Sequence, residues 1–293
     1  MILLDGKSLA EAMIDSMKAE AKRLKPTLCV IRVGHNSASL VYIRNKRIAC
    51  ERAGIRFDER DFPASITQAE LIREIENVNH DSAINGVIVQ LPLPDSIDVP
   101  AIIRSIDPIK DVDGFQAYNL GKTMLSTEFE DLPPATALGV MKLLDHYDIA
   151  LQGKEVVVVG NSNIAGKPIT VMMMNRSATV TNCNRSTKNL AEHTLRADIL
   201  IVAVGHPNLI TATMVKKGVT VVDVGINRMP NGKLCGDVDF ENVSKKAAFI
   251  SPVPGGVGPM TVAALILNTV NATRLQKHPV QKKTHSSPYS TFA

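Results

Sequence analysis

The stretch 154–174, KEVVVVGNSNIAGKPITVMMM, constrains the fold more than any other part of the chain. Four consecutive valines, Val156, Val157, Val158 and Val159, run into Gly160. A short β-branched run of this kind suits a strand buried on both faces of a parallel sheet. A turn at 160–166 and an apolar segment long enough for a helix come next. Strand, glycine turn and helix together form a phosphate-binding device. Small residues let the backbone approach a pyrophosphate, and the free N–H groups of the helix start face it. The pattern G-x-S-x-x-x-G departs from G-x-G-x-x-G, and alone it reads equally well as a plain strand–helix turn. Three further apolar runs, 178–183, 197–205 and 219–226, follow with polar or helical spacers. That is the β-α-β rhythm of a doubly wound α/β sheet, whose ligands bind at the carboxyl ends of the strands.

The 293 residues suffice for two domains and a large core. The net charge of +4 comes from scattered Lys and Arg, with no aromatic-interleaved basic stripe. This argues against nucleic acid as a partner and suits an anionic small molecule. Cys29, Cys50, Cys183 and Cys235 are far apart and form no C-x-x-C, so neither a metal site nor a disulfide frame is expected. The start, MILLDGKSLAEAM, has no basic region leading into a long apolar core. No apolar run approaches the roughly 20 residues that cross a bilayer. The expected setting is cytoplasmic, with no membrane partner.

The first half also reads β-α-β, without a glycine turn of its own. Strands are expected at 2–4, 27–33, 55–62 and 86–91, and helices after Lys7 or Ser8, after Ser37 or Ser39, and at 68–79. Residues 119–134 read as irregular, ending in Pro133-Pro134 before a helix at 137–146, and mark the hinge. An apolar helix at 261–272 is expected to pack back on the first half. The expected division is a catalytic unit of 1–118 plus 260–276, a Rossmann-like unit of 119–259, and a polar tail of 277–293.

Several residues can carry chemistry. Tyr42 and Lys46 are four apart on one helix and share a face. Lys46 could equally be a solvated lysine beside Arg44 and Arg47. The Tyr-x-x-x-Lys spacing matches the active-site pair of short-chain dehydrogenases, but here it precedes the glycine turn, so that family does not fit. Gln90 ends an apolar strand and could hold a neighbouring amine. Asp111 and Asp113 could be ligands or turn formers. After the second strand of the nucleotide half, where NAD-specific sites place an acid, the chain reads Asn184-Arg185-Ser186-Thr187. An arginine there favours an adenosine 2′-phosphate, hence NADP over NAD.

These motifs together resemble the bifunctional methylenetetrahydrofolate dehydrogenase/methenyltetrahydrofolate cyclohydrolase family. They are Tyr42-x-x-x-Lys46, Val89-Gln90-Leu91-Pro92-Leu93-Pro94, Lys110-Asp111-Val112-Asp113-Gly114, Gly160-x-Ser162-x-x-x-Gly166-x-Pro168, the run VDVGINR from Val222, and the run PVPGGVGPMT from Pro252. The resemblance implies two α/β domains around a cleft. It also implies NADP-dependent oxidation of 5,10-methylenetetrahydrofolate, with NAD possible, then hydrolysis to 10-formyltetrahydrofolate. By the same resemblance, Lys46 is the general acid/base, Tyr42 flanks the pterin, Gln90 holds Lys46, and Asp113 binds the pterin edge. Leu91, Pro254, Gly255 and Gly256 shape the folate side. Gly160, Asn161, Ser162, Ile164, Gly166 and Pro168, with Arg185 and Ser186, hold the nucleotide. Gly205, Ile226 and Thr261 line the nicotinamide end. A homodimer is implied; the strand 219–226 with its neighbours could form the interface, but the sequence does not show which surface pairs.

The chain departs from the family pattern at the hinge, where P-C-T-P becomes Pro134-Ala135-Thr136-Ala137. Asn161 stands where some relatives have Arg, and Asn184 replaces a frequent His. Two alternatives stay open: a dehydrogenase with weak cyclohydrolase activity, and a folate- and nucleotide-binding protein without turnover.

Overall fold

The computed structural model describes residues 1–278. The chain begins with β1 (Ile2–Leu3), α1 (Gly6–Ser16), α2 (Lys18–Leu24) and β2 (Thr27–Val33). Then come α3 (Ser37–Ala53), β3 (Arg56–Phe62), α4 (Gln68–His80), β4 (Gly86–Val89) and α5 (Val99–Ser105). Strands β3, β2 and β4 form a parallel sheet in that order. The central β2 is buried at every residue, as its apolar sequence dictates, while the edge strand β3 reads RFDERDF. Charges along an edge discourage pairing with another chain. Local signals start the helices. Asp5 accepts from Ser8 N and caps α1, and Thr67 and Glu70 close a capping box on α4. At α3, Asn36 Oδ1 accepts from Ser39 N at 3.2 Å, so Asn36 supplies a capping oxygen.

The second half continues through α6 (Ala117–Leu125), α7 (Ala135–His146), β5 (Glu155–Val159), α8 (Gly166–Met174), β6 (Thr179–Cys183), α9 (Leu190–Thr194), β7 (Ile199–Val202) and β8 (Thr220–Asp223). A small antiparallel ribbon, β9 (Asn227–Arg228) and β10 (Leu234–Cys235), is followed by α10 (Phe240–Val243), β11 (Phe249–Ile250) and α11 (Val257–Lys277). A six-stranded parallel sheet has the order β1-β11-β8-β7-β5-β6. The valine strand β5 lies inside it, with Val159 opposite both Val202 and Cys183.

The structure changes four expectations. The N-terminal strand β1 pairs with β11, so it completes the larger sheet and not the sheet of the half it begins. Much of 119–134 is helical, because Gln116 caps α6 and Ser126 caps a short 3-10 turn at Thr127–Phe129. Strand β8 stops at Asp223 and sits between β7 and β11 with every residue buried. Both its edges are already paired, and the residues beyond its end leave the sheet, with Ile226 41% exposed. Finally, α11 packs on α7 as well as on α1 and α3, and so joins both halves. Within it, the buried Asn268 amide donates to Val112 O at 2.9 Å and Pro133 O at 2.8 Å, tying down the expected hinge. The expected polar tail lies outside the described residues except for Lys277, the end of α11, and His278, its cap.

Candidate active site

Helix α3 places Tyr42 on one wall of a cleft and turns Lys46, four residues on, toward Gln90. The cleft measures about 470 Å³. Tyr42 and Asn45 line it from α3, Gly225 and Ile226 from the segment after β8, and Pro254, Gly255 and Gly256 from the loop before α11. The Val253–Pro254 and Leu91–Pro92 peptides are cis.

Lys46 Nζ donates to Gln90 Oε1 at 3.0 Å. The orientation of that amide is set by its other end, since Gln90 Nε2 donates to Leu91 O at 2.8 Å. The backbone is fixed in turn, with Gln90 N donating to Ile31 O at 2.8 Å. Burial pulls the Lys46 ammonium below its ordinary pKa, opposed by the charge of Asp113 and then by Cys50. Burial likewise raises Asp113, opposed by Lys46. The two are near enough to bias each other but form no ion pair. Arg47 takes no part: its guanidinium pairs with Glu59 and lies 4.6 Å over the Phe57 ring. Asp111 is a turn former, accepting from Gly114 N, Gln116 N and Asn119 Nδ2. The loop thus leaves Asp113, not Asp111, as the carboxyl with electrostatic reach to Lys46.

The glycine turn at the carboxyl end of β5 is closed by contacts that only glycine permits. A Cβ on Gly160 would fall 2.2 Å from Ala203 O, and one on Gly166 would fall 2.1 Å from Gly160 O. Gly160 also has φ of +126°. Ser162 O accepts from Lys167 N at 3.0 Å, folding the turn onto the start of α8. Pro168 lies in the first helical turn, where its missing N–H leaves no bond unmade. Asn161, Ser162 and Ile164 remain exposed around this turn, and its main chain stays open for an anion. The next strand end is shaped similarly. Asn184 N donates to Thr187 Oγ1 and Ser186 N to Asn184 Oδ1, both at 2.9 Å, leaving Arg185 and Ser186 exposed.

Gly205 lies on the loop after β7, beside the glycine turn's sheet end, and Ile226 faces the cleft. Thr261 lies in the second turn of α11. Its hydroxyl faces Thr136 of α7 at 3.4 Å and Val257 O at 3.2 Å. Sequence reasoning passed over Asn182, whose Nδ2 donates to Gly160 O and to Thr170 Oγ1, both at 2.9 Å, and so pins the turn. It also passed over Asp223 and Asp237, buried at the end of β8 and after β10. An acid inside each apolar run was the available signal. Among the described residues, no His, Cys, Asp and Glu side chains cluster as a metal site, and no helix is long and apolar enough to cross a membrane.

Fold and site define a dinucleotide-binding α/β protein with a half-buried lysine amine held by a glutamine. Residues 4–113 match the catalytic domain, and residues 134–277 the NAD(P)-binding domain, of tetrahydrofolate dehydrogenase/cyclohydrolase. The chain belongs to that family. The bifunctional protein FolD of Nautilia profundicola is 52% identical over 279 residues, 94% of this chain and 98% of the relative. The crystal structure of FolD from Campylobacter jejuni superposes with a TM-score of 0.91 at 47% identity, covering 94% and 99% of the two chains. The Trypanosoma brucei dehydrogenase–cyclohydrolase, complexed with NADP and an inhibitor, gives a TM-score of 0.90 at 35% identity over 94% and 98%.

Proposed function

We propose that this chain oxidises 5,10-methylenetetrahydrofolate with NADP and hydrolyses the resulting 5,10-methenyltetrahydrofolate to 10-formyltetrahydrofolate. The observation that carries the reading is the half-buried Lys46 amine, held by Gln90 at 3.0 Å on the helix whose Tyr42 lines the cleft. The glycine turn fits a dinucleotide, since Gly160 and Gly166 leave no room for a side chain. NADP, when bound, accepts the hydride. Gly160, Asn161, Ser162, Ile164, Gly166 and Pro168 form its pyrophosphate cradle, and Arg185 and Ser186 meet the 2′-phosphate. NAD, lacking that phosphate, is the weaker cofactor. Gly205 and Ile226 border the nicotinamide end, with Thr261 supporting it from α11.

On the folate side, Tyr42 flanks the pterin, Asp113 binds its edge, and Leu91, Pro254, Gly255 and Gly256 shape the walls. The oxidation needs alignment more than a strong base, so the rigid walls do the work. Hydrolysis needs proton transfer. Water adds to the methenyl carbon, the adduct loses a proton, and the C–N5 bond breaks, leaving the formyl group on N10. A lysine drawn toward neutrality by burial can take the proton from the adduct and return it to the departing nitrogen. The soluble one-carbon folates are the partners in this reading, in a cytoplasmic homodimer that binds neither nucleic acid nor membrane.

The test is an absorbance time course with methylenetetrahydrofolate, run in parallel with NADP and NAD. Reduced cofactor forming with NADP, with little methenyl-folate accumulating, is the expected result. Accumulating methenyl-folate would mean a weak cyclohydrolase, and turnover only with NAD would overturn the Arg185 assignment. Binding without any turnover would replace the enzyme by a binding protein.

A further inference from the structure

Two buried carboxylates at the carboxyl ends of β7 and β8 have no basic partner. Asp237 Oδ2 accepts from Val204 N at 2.7 Å and Gly205 N at 2.9 Å. Its Oδ1 accepts from His206 N at 2.9 Å and from Asn227 Nδ2 at 2.8 Å. Asp223 Oδ1 accepts from Gly225 N at 3.0 Å and Asp237 N at 3.1 Å, and its Oδ2 from Val238 N at 2.9 Å. The two residues interlock through glycines. A Cβ on Gly225 would fall 2.1 Å from Asp237 Cγ, and one on Gly236 would fall 1.9 Å from Asp223 Oδ2.

The donors of Asp237 come from two different places. Val204, Gly205 and His206 form the loop after β7, at the sheet end where the nicotinamide is expected. Asn227 follows Ile226 in the cleft wall that faces α3. One carboxylate therefore fixes the spacing between a cofactor-side loop and a folate-side wall. Three backbone N–H groups converging on one carboxylate are strong, directional bonds, and the packed glycines leave the group nowhere else to go.

We propose that Asp237 is a positioning residue for hydride transfer, setting the loop 204–206 against the wall 225–227, with Asp223 locking Asp237 in place. This rests on the folate-enzyme reading above and adds to it the device that aligns the two reactants. Hydride transfer tolerates little misalignment, whereas hydrolysis of methenyl-folate, centred on Lys46, uses no nicotinamide. Displacing Asp237 therefore separates the two activities, which a general loss of folding would lower together.

The experiment compares wild type with Asp237→Asn and Asn227→Ala at pH 8. Three quantities are read: the dehydrogenase rate, methenyl-folate hydrolysis in the absence of nucleotide, and NADPH affinity by fluorescence titration. Asp237→Asn turns one acceptor oxygen into a donor facing N–H groups. Its expected signature is a fall of roughly ten- to a hundredfold in the ratio of dehydrogenase to cyclohydrolase rate, with weaker NADPH binding. Asn227→Ala removes one donor and leaves the backbone bonds, so it shifts the ratio the same way by less. It decides the matter if Asp237→Asn does not fold. A folded Asp237→Asn, or failing that Asn227→Ala, with wild-type ratio and NADPH affinity overturns the proposal. Absence of both activities in wild type would instead sink the underlying enzyme reading.

Discussion

At the scale of single residues, the site turns on what burial does to an amine. Lys46 is pulled below its ordinary value by desolvation, and the neighbouring arginines have no share in it. Asp113 works in the opposite direction, since its negative charge favours the ammonium. The active form of a general base is the neutral amine, so hydrolysis rises with pH through the Lys46 titration. Asp113→Asn removes the charge that holds the proton on, and the rising limb of the kcat profile for methenyl-folate hydrolysis should move to lower pH. If Asp113 binds the pterin edge as proposed, the same change should also raise KM about tenfold or more. An unmoved limb, or one moved to higher pH, would refute the coupling. Lys46→Met should abolish hydrolysis while NADPH and folate still bind by calorimetry. Unchanged hydrolysis in that variant would remove Lys46 from the mechanism.

At the scale of elements, the two strand ends of the nucleotide half make separate predictions. Arg185 stands exposed on a turn built by Asn184 and Thr187. Arg185→Gln should raise KM for NADP by roughly ten- to a hundredfold, the worth of a charge-assisted bond, and leave KM for NAD nearly as it was. Equal changes in both would place the 2′-phosphate elsewhere. Asp223, at the end of β8, is pushed up to about 7 by burial against the pull of its N–H donors. Between about pH 4 and 7 the folded chain keeps a proton that the unfolded chain has released. Its contribution to stability therefore falls as pH rises through that window and levels off above it. Asp223→Asn should lose less Tm than wild type between pH 5 and pH 8, and parallel curves would refute the assignment. These elements also show what the sequence could and could not reveal. The valine strand, glycine turn and α8 were readable because every signal lies within one short stretch. Lys46 with Gln90 was reachable only through the family motif, since helix and strand meet across 44 residues of chain. Helix α6 escaped notice because Gly121 and Asn119 weaken its pattern, although Gln116 caps it. The partner of β1 and the donors of Asp237 are long-range facts. No local periodicity encodes which strand a two-residue segment will join, or which loop will fold over a carboxylate.

At the scale of the whole molecule, the question of pairing turns on which apolar surfaces stay exposed. An apolar surface remains on the outer side of the six-stranded half. Tyr118, Met124 and Leu125 of α6 are 61%, 66% and 65% exposed, and Phe129 and Met174 lie near them at 39% and 57%. The patch is firmly mounted. Helix α6 packs on α8, Asn175 Nδ2 donates to Thr123 O at 2.8 Å, and Arg176 forms a forked pair with Glu130. Large exposed apolar side chains on a rigid base are what a protein interface requires, and scattered single ones would not be. The two-fold symmetry of a homodimer would bring Leu125 toward the same patch on the second copy, so one substitution alters both sides of the contact. Leu125→Glu places two carboxylates in that contact with no basic partner supplied, and burying them unpaired costs several kcal/mol. Sedimentation at micromolar concentration should therefore show a dimer for wild type and a monomer for Leu125→Glu. The substitution changes neither Lys46 nor the glycine turn, and Asn175, which bonds Thr123 of α6, stands at the far end of α8 from that turn, so the monomer should still bind NADPH. A dimeric Leu125→Glu would assign pairing to another face, and a monomeric wild type would remove the homodimer from the reading altogether.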